Sequence, residues 1–290
     1  MAQQWSGKTG GTHWMQRALV GMYKYVDSSF VYGIMHFWLI WYIIVRRSVA
    51  RGAYIFHRRR GRSRLNAAID VYRSFYHFGQ AVVDRFAVYA GVKFAIRVDN
   101  SERYYDNVKR KDGFILLFSH VGNSEMAAYT MATPDKKMNI IAYGGESPVV
   151  MENRAKVLAE NNIGMIVVQP DSMDHIFCIN DALQRGEVLA IAGDRKMGDN
   201  TINCHVLGAD AKLPAGPFEL CVTLRCPVVL TFVIKESKKT YHTYTELLQV
   251  DYSLPRHERA HNLAQQYASR IEQMALEHPY QWFNFFDFWA

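Results

Sequence analysis

His120 and Glu125 close the stretch His120-Val121-Gly122-Asn123-Ser124-Glu125, which directly follows the apolar run Phe114-Ile115-Leu116-Leu117-Phe118. An imidazole with a carboxylate partner can take a proton from a hydroxyl near neutral pH, which is what general-base catalysis requires. The apolar run reads as a buried strand ending at Ser119, and a helix is expected to open near Gly122 or Asn123. That arrangement puts His120 at the carboxyl end of a strand and Glu125 in the first helical turn. The alternative for Glu125 is structural, because a carboxylate favours a helix N-terminus, with Asn123 or Ser124 as the cap.

Three further segments carry groups suited to binding. Gly193-Asp194-Arg195 follows the strand-like run Glu187-Val188-Leu189-Ala190-Ile191-Ala192, and the planar fork of Arg195 suits phosphate or carboxylate. An Asp–Arg pair that merely shapes a turn is the plainer reading there. Glu146 lies in the loop Gly144-Gly145-Glu146-Ser147 after another apolar run, with Arg154 downstream. Lys212-Leu213-Pro214-Ala215-Gly216-Pro217 reads as a loop entering a helix, Pro217 fitting its first turn. Asp194 and Asp199 lack the companions a zinc or magnesium site needs, so no metal and no cofactor is expected. Ser119 and Ser124 flank the motif, but no Gly-x-Ser-x-Gly elbow accompanies them, which argues against a serine hydrolase. Backbone amides near 122–124 or at 145–147 are the candidates for stabilising an oxyanion.

These segments need a scaffold. Strands are expected over 92–98, 114–118, 139–143, 164–168, 187–192, 201–206, 227–234 and 240–250, with helices near 66–90, 123–132, 151–161, 174–185, 216–224 and 257–277. Asp174 is a plausible N-cap and Gly186 a C-terminal stop for one of them. Short strands alternating with helices imply an α/β fold, a mixed, mostly parallel central sheet flanked by helices. Sites in such sheets gather at the carboxyl ends of strands. His120, the 144–147 loop and Gly193-Asp194-Arg195 all fall at such ends, so they are expected to share one cleft.

The charge is localised. Between Ser28 and Ile69 lie eight arginines and no acidic residue, and the rest of the chain holds 26 basic against 27 acidic groups. Before the arginines runs Phe30–Val45, free of formal charge and dense in Trp, Tyr and Phe. Aromatic rings beside an arginine-rich flank suit an anionic membrane surface, where rings sit at headgroup depth and arginines meet phosphates. That pairing displaces nucleic acid as the partner of the arginine cluster. The run is short for a span of about 20 residues, so a helix lying in the interface is expected; a buried core helix with a solvated flank is the alternative. Residues 1–65 thus read as an N-terminal membrane-associating helical segment, and 66–290 as the catalytic domain. The first 25 residues show no apolar stretch of signal-peptide type. The cysteines at 178, 204, 221 and 226 have no zinc spacing and read as small core residues in a reducing compartment.

His120-x4-Glu125, the Gly-Glu loop with Arg154, Gly193-Asp194-Arg195, Leu213-Pro214-Ala215-Gly216-Pro217, Pro227-Val228-Val229 and the aromatic ending Pro279–Trp289 follow one another in order. Together they resemble the lysophospholipid acyltransferase superfamily, in particular its bacterial lipid A (late) acyltransferase-like family, over about residues 60 to 289. The resemblance implies transfer of a fatty acyl chain from an acyl carrier protein or coenzyme A thioester to a hydroxyl of a lipid or glycolipid. It also implies His120 as the base, Glu125 as its partner, and Gly193, Asp194, Arg195, Glu146 and Arg154 as substrate-binding residues. The cytoplasmic face of the bacterial inner membrane is the implied location. The segment around Trp5-Ser6-Gly7-Lys8-Thr9-Gly10 and the short aromatic run depart from the usual lipid A enzyme. They leave open an aminoacyl-lipid or polyene-lipid acceptor, and, from another class, a non-catalytic basic membrane-binding protein.

Overall fold

The computed structural model describes residues 20–23, 25–99, 101–143, 151, 155, 158–168, 174–196 and 198–289. Its first three named helices are α1 (Ser28–Val45), α2 (Arg47–Arg59) and α3 (Arg64–Tyr89). Asp27 caps α1 by accepting from the Ser29 amide, and Ser63 caps α3 by accepting from that of Asn66. Only one stripe of α1 is buried: Val31 and Tyr32 pack against Val83, Phe86 and Ala87 of α3, and Leu39 packs against Val71 and Phe75. Phe37 and Trp38 remain 81% and 67% exposed, and 22% of the helix is buried, which removes the core-helix alternative for this run. His36 is held at the helix flank by Tyr72 and stacks on Tyr76. The expected division at residue 65 falls in the first turn of α3. Phe56 of α2 joins the main core, edge-on to Trp282.

The remaining chain runs β1 (Ala95–Asp99), α4 (Ser101–Lys109), β2 (Phe114–Gly122), α5 (Ser124–Met131), β3 (Met138–Tyr143), β4 (Ile163–Val168), α6 (Asp174–Gln184) and β5 (Val188–Ala192). It continues through β6 (Thr201–Val206), β7 (Ala209–Pro214), α7 (Ala215–Leu224), β8 (Val228–Lys235), β9 (Thr240–Leu248) and α8 (Arg256–Glu277). Seven strands form one sheet in the order β1-β9-β8-β2-β5-β3-β4. Within it β8 and β9 pair antiparallel and the other neighbours are parallel. This is the α/β architecture expected, mixed and mostly parallel. The central strand β2 is buried on both faces. Ile115 and Leu117 enter the cluster with Phe218 of α7 and Tyr267 of α8, whereas Phe114 and Leu116 enter that with Tyr104, Ala128 and Met131.

Three local expectations change. Residues 209–214 form β7, which closes an antiparallel hairpin with β6 where a loop was expected; Ala211 and Leu213 face the core while Asp210 and Lys212 face out. Helix α4, unforeseen, packs Tyr104 and Val108 on the sheet. Cys178 is exposed on α6, so it is not a core residue as Cys204 and Cys221 are.

A buried polar cluster ties the N-terminal helices to the sheet. The Asp84 carboxylate of α3 accepts from Tyr32 of α1, from Lys235 of β8 and from Tyr241 of β9. Asp84 and Lys235 are both nearly inaccessible. Asp84→Ala should destabilise the protein by about 3–5 kcal/mol, because it strands a buried ammonium. Urea unfolding checks this. The double variant Asp84→Leu/Lys235→Met should recover most of the loss.

Candidate active site

The strand that carries His120 does not end at Ser119. It continues to Gly122 through a bulge: from Phe118 to Gly122 the chain takes four steps along β2 against two along β8, from Thr231 to Val233. The bulge is clamped from its far side by the C-terminal aromatic segment. Val121 pairs with Trp282, the Gly122 amide donates to the Gln281 carbonyl at 2.7 Å, and the His120 carbonyl accepts from the Phe283 amide at 2.8 Å. Gly122 has φ +78°, and a Cβ there would collide with the Val233 carbonyl. Only glycine meets both demands. Asn123 then starts α5, its side chain accepting from the Met126 amide and donating to the Ala81 carbonyl and Tyr241 hydroxyl. The amides of Gly122 and Asn123 are taken by the carbonyls of Gln281 and Val233. Neither is therefore free to hold an oxyanion.

β2 and β5 are parallel neighbours, so their carboxyl ends meet, and there His120 finds its partner. Asp194 receives the His120 main-chain amide on Oδ2 at 2.6 Å and faces His120 Nδ1 with Oδ1 at 2.8 Å. Asp194 is 3% exposed and the His120 ring 21%. Burial would push the Asp194 carboxyl up, but His120 and the Arg195 charge hold it below the ordinary carboxylate range. An ionised carboxylate can only accept, so Nδ1 carries the proton and Nε2 keeps its lone pair. Burial, reinforced by Arg195, lowers the His120 pKa from 6.5, against the opposing pull of Asp194. That direction favours the neutral imidazole, the form general-base catalysis would require.

This assigns the sequence candidates differently from their spacing. Glu125, expected as the partner of His120, sits in the first turn of α5 and pairs with Arg85 of α3 at 2.7 Å. It acts on His120 through space only, behind burial, Arg195 and Asp194 in weight. Asp194, expected to bind substrate, has both oxygens engaged by His120. Gly193 is where Tyr267 leaves no room for a side chain, a Cβ falling 2.9 Å from the Tyr267 ring. Arg195 is half-buried beside the pair. Glu146, Arg154 and the 144–147 loop lie outside the described residues, so two of the three expected segments are seen to converge. Arg85 and Tyr267 had no signal in the sequence beyond lying on helices. Glu125 also lines a cavity of about 40 Å³ whose walls include Leu116, Phe118, Tyr129 and Met138. Among the described residues, no group of three or more His, Cys, Asp or Glu side chains is placed to hold a metal ion.

The family model described as "Bacterial lipid A biosynthesis acyltransferase" matches residues 71–290, most of the chain and all of the site. The chain belongs to that family. It is accordingly an acyltransferase of lipid biosynthesis. No curated protein matches it significantly in sequence. Among solved structures it is similar to the 1-acyl-sn-glycerophosphate (LPA) acyltransferase PlsC from Thermotoga maritima, with 12% identity and a TM-score of 0.40 over 83% of this chain and 94% of that one.

For an acyltransferase working through a neutral imidazole, activity is lost as pH falls through the pKa of that imidazole. The acid limb of kcat/KM should therefore lie below 6.5. Asp194→Asn removes the carboxylate that raises His120, so the limb should move lower still, while the plateau falls by about 10²–10⁴-fold as the tautomer is lost. A pH–rate series on both proteins checks this, and a limb at or above 6.5 would contradict it.

Proposed function

We propose that this protein moves a fatty acyl chain from an acyl carrier protein thioester to a hydroxyl of a lipid or glycolipid at the cytoplasmic face of the bacterial inner membrane. The observation that carries the reading is the His120–Asp194 contact, a buried carboxylate that leaves Nε2 of a neutral imidazole as the available base. In this mechanism Nε2 takes the proton of the acceptor hydroxyl as its oxygen attacks the thioester carbonyl. The tetrahedral intermediate collapses, the C–S bond breaks, and the imidazolium returns the proton to the departing thiolate. Products are an ester and a free thiol, and no side chain becomes acylated. Asp194 keeps the ring in register and stabilises the imidazolium. Glu125, paired with Arg85, adds a weaker negative charge in the vicinity of His120. Arg195 is the proposed phosphate contact, on the phosphopantetheine arm or the acceptor, since its fork suits phosphate geometry. Glu146 and Arg154 remain proposed binding residues on the strength of the family resemblance.

Residues 1–65 are proposed as the membrane-associating segment and 66–290 as the catalytic domain. At 1.5 Å per residue α1 is about 27 Å long, close to but short of the roughly 30 Å hydrocarbon core. Its exposed face of Phe30, Phe37, Trp38, Trp41 and Ile44, followed by the arginines of α2, supports a helix lying in the interface. The same surface would serve an enzyme for an aminoacyl-lipid or polyene-lipid acceptor; membership of an acyltransferase family sets aside a non-catalytic membrane binder.

Purified enzyme given acyl carrier protein and coenzyme A thioesters of one chain length, with pooled membrane lipids as acceptor, should form acylated lipid visible by mass spectrometry and prefer the carrier-protein donor. His120→Ala should lower the rate by on the order of 10²–10⁴-fold with its circular dichroism unchanged. Wild-type activity in that variant removes His120 from the mechanism. Preference for coenzyme A overturns only the donor.

Replacing Arg58, Arg59 and Arg64 with Ser, and leaving Arg62 on the buried Asp70 and Arg60 on His57, should weaken sedimentation with anionic vesicles, each arginine contributing about 1 kcal/mol near such a surface. The difference from wild type should shrink as salt rises. Equal sedimentation at low salt would contradict the electrostatic part of the membrane reading.

A further inference from the structure

We infer that Tyr267 of α8 is a positioning residue for the His120–Asp194 pair, an inference that rests on His120 being the base. The last β2–β5 partners in the ladder are Phe118 and Ala192. Beyond them β2 enters its bulge and β5 turns, so no further ladder bond between the two strands holds His120 against Asp194. Tyr267 spans that point. Its hydroxyl donates to the Phe118 carbonyl at 2.8 Å and accepts from the Gly193 amide at 3.2 Å, and the same amide reaches the Phe118 carbonyl at 3.2 Å. Three groups thus close a ring across the two strand ends, one residue before Asp194 and two before His120.

The rest of the environment fits a fixed hydroxyl. Tyr267 is completely buried, with Phe218 edge-on at 5.3 Å. Gly193 is bare because Tyr267 fills the space, a Cβ there lying 2.9 Å from Cζ and 3.1 Å from the hydroxyl oxygen. Burial, with the nearby Asp194 charge, drives the phenol pKa well above its ordinary 10, so the hydroxyl remains a donor throughout the working range. A ring needed only for packing would not require that hydroxyl. A ring that locks the Gly193 amide would.

The test is Tyr267→Phe, which keeps the ring and removes the two hydrogen bonds. The folded fraction and thermal midpoint should stay near those of wild type. The kcat should fall by about 10- to 100-fold, the range set by a sub-ångström to ångström misplacement of a catalytic group. The KM for donor and acceptor should change little, and the acid limb of kcat/KM should move to lower pH as Asp194 leaves Nδ1. In an Asp194→Asn background the same change should cost nothing more, since the two act as one unit. Gly193→Ala, which displaces the hydroxyl by steric pressure, should reproduce the kcat loss and the shifted limb by a second route. Unchanged kcat and pH profile in a folded Tyr267→Phe, a fully additive loss in the double variant, or wild-type kinetics in Gly193→Ala would each overturn the assignment. Loss of activity in His120→Ala with none in Tyr267→Phe would sink this inference alone. Full activity in His120→Ala would sink the reading beneath it.

Discussion

A buried carboxylate must be given donors, and at Asp194 both oxygens take them from one residue. The His120 amide and the His120 ring together hold the charge that burial opposes. Breaking either contact would leave an ionised group in a nearly closed site, a cost of several kcal/mol. The surrounding structure is arranged so that neither breaks. The bulge in β2 takes His120 out of the ladder toward β5, Gly122 allows the reversal that follows, and the segment from Gln281 to Phe283 supplies the backbone partners that β8 gives up. The proposed general base is thus held at the junction of two parallel strands and a helix.

Helix α3 ties the helix that follows β2 to the rest of the fold. Successive helical residues point about 100° apart, and Asp84 and Arg85 use that angle to reach different neighbours. Asp84 turns inward to Tyr32, Lys235 and Tyr241, and Tyr241 in turn receives the side chain of Asn123, the cap of α5. Arg85 reaches Glu125 in the first turn of that helix. One helix therefore holds α5 by its cap and by its first acidic side chain, and through Tyr32 it is joined to the exposed aromatic helix α1. The surface proposed to meet lipid and the residues proposed to act on it share a short chain of buried contacts.

Much of the fold was legible in the sequence because its strands are short apolar runs with strong stops. The helix Asp174–Gln184 ends before Gly186, whose φ is +78°, as the spacing implied. β7 was hidden because its weak alternation of Ala211 and Leu213 with Asp210 and Lys212 runs directly into Pro214-Ala215-Gly216-Pro217, which dominates as a loop signal. At the site, the position of His120 was readable from a strand followed by a cap. Its partner was not. Glu125 is near in sequence but turns to Arg85, whereas Asp194 is 74 residues away and becomes adjacent only because β5 lies beside β2. Strand order is a tertiary property that no local spacing encodes, and for the same reason Tyr267 stayed invisible as one tyrosine on an amphipathic helix.

The protonation state of His120 at rest is the point on which the mechanism stands. Nitrogen-15 NMR of the histidine-labelled enzyme at neutral pH, with the His120 signals assigned by their loss in His120→Ala, reads that state directly. The expected spectrum has a protonated Nδ1 and an unprotonated Nε2, titrating below 6.5. A protonated Nε2 at rest, or a ring already cationic at neutral pH, would contradict the assignment of Asp194 as the group that readies His120 as the base.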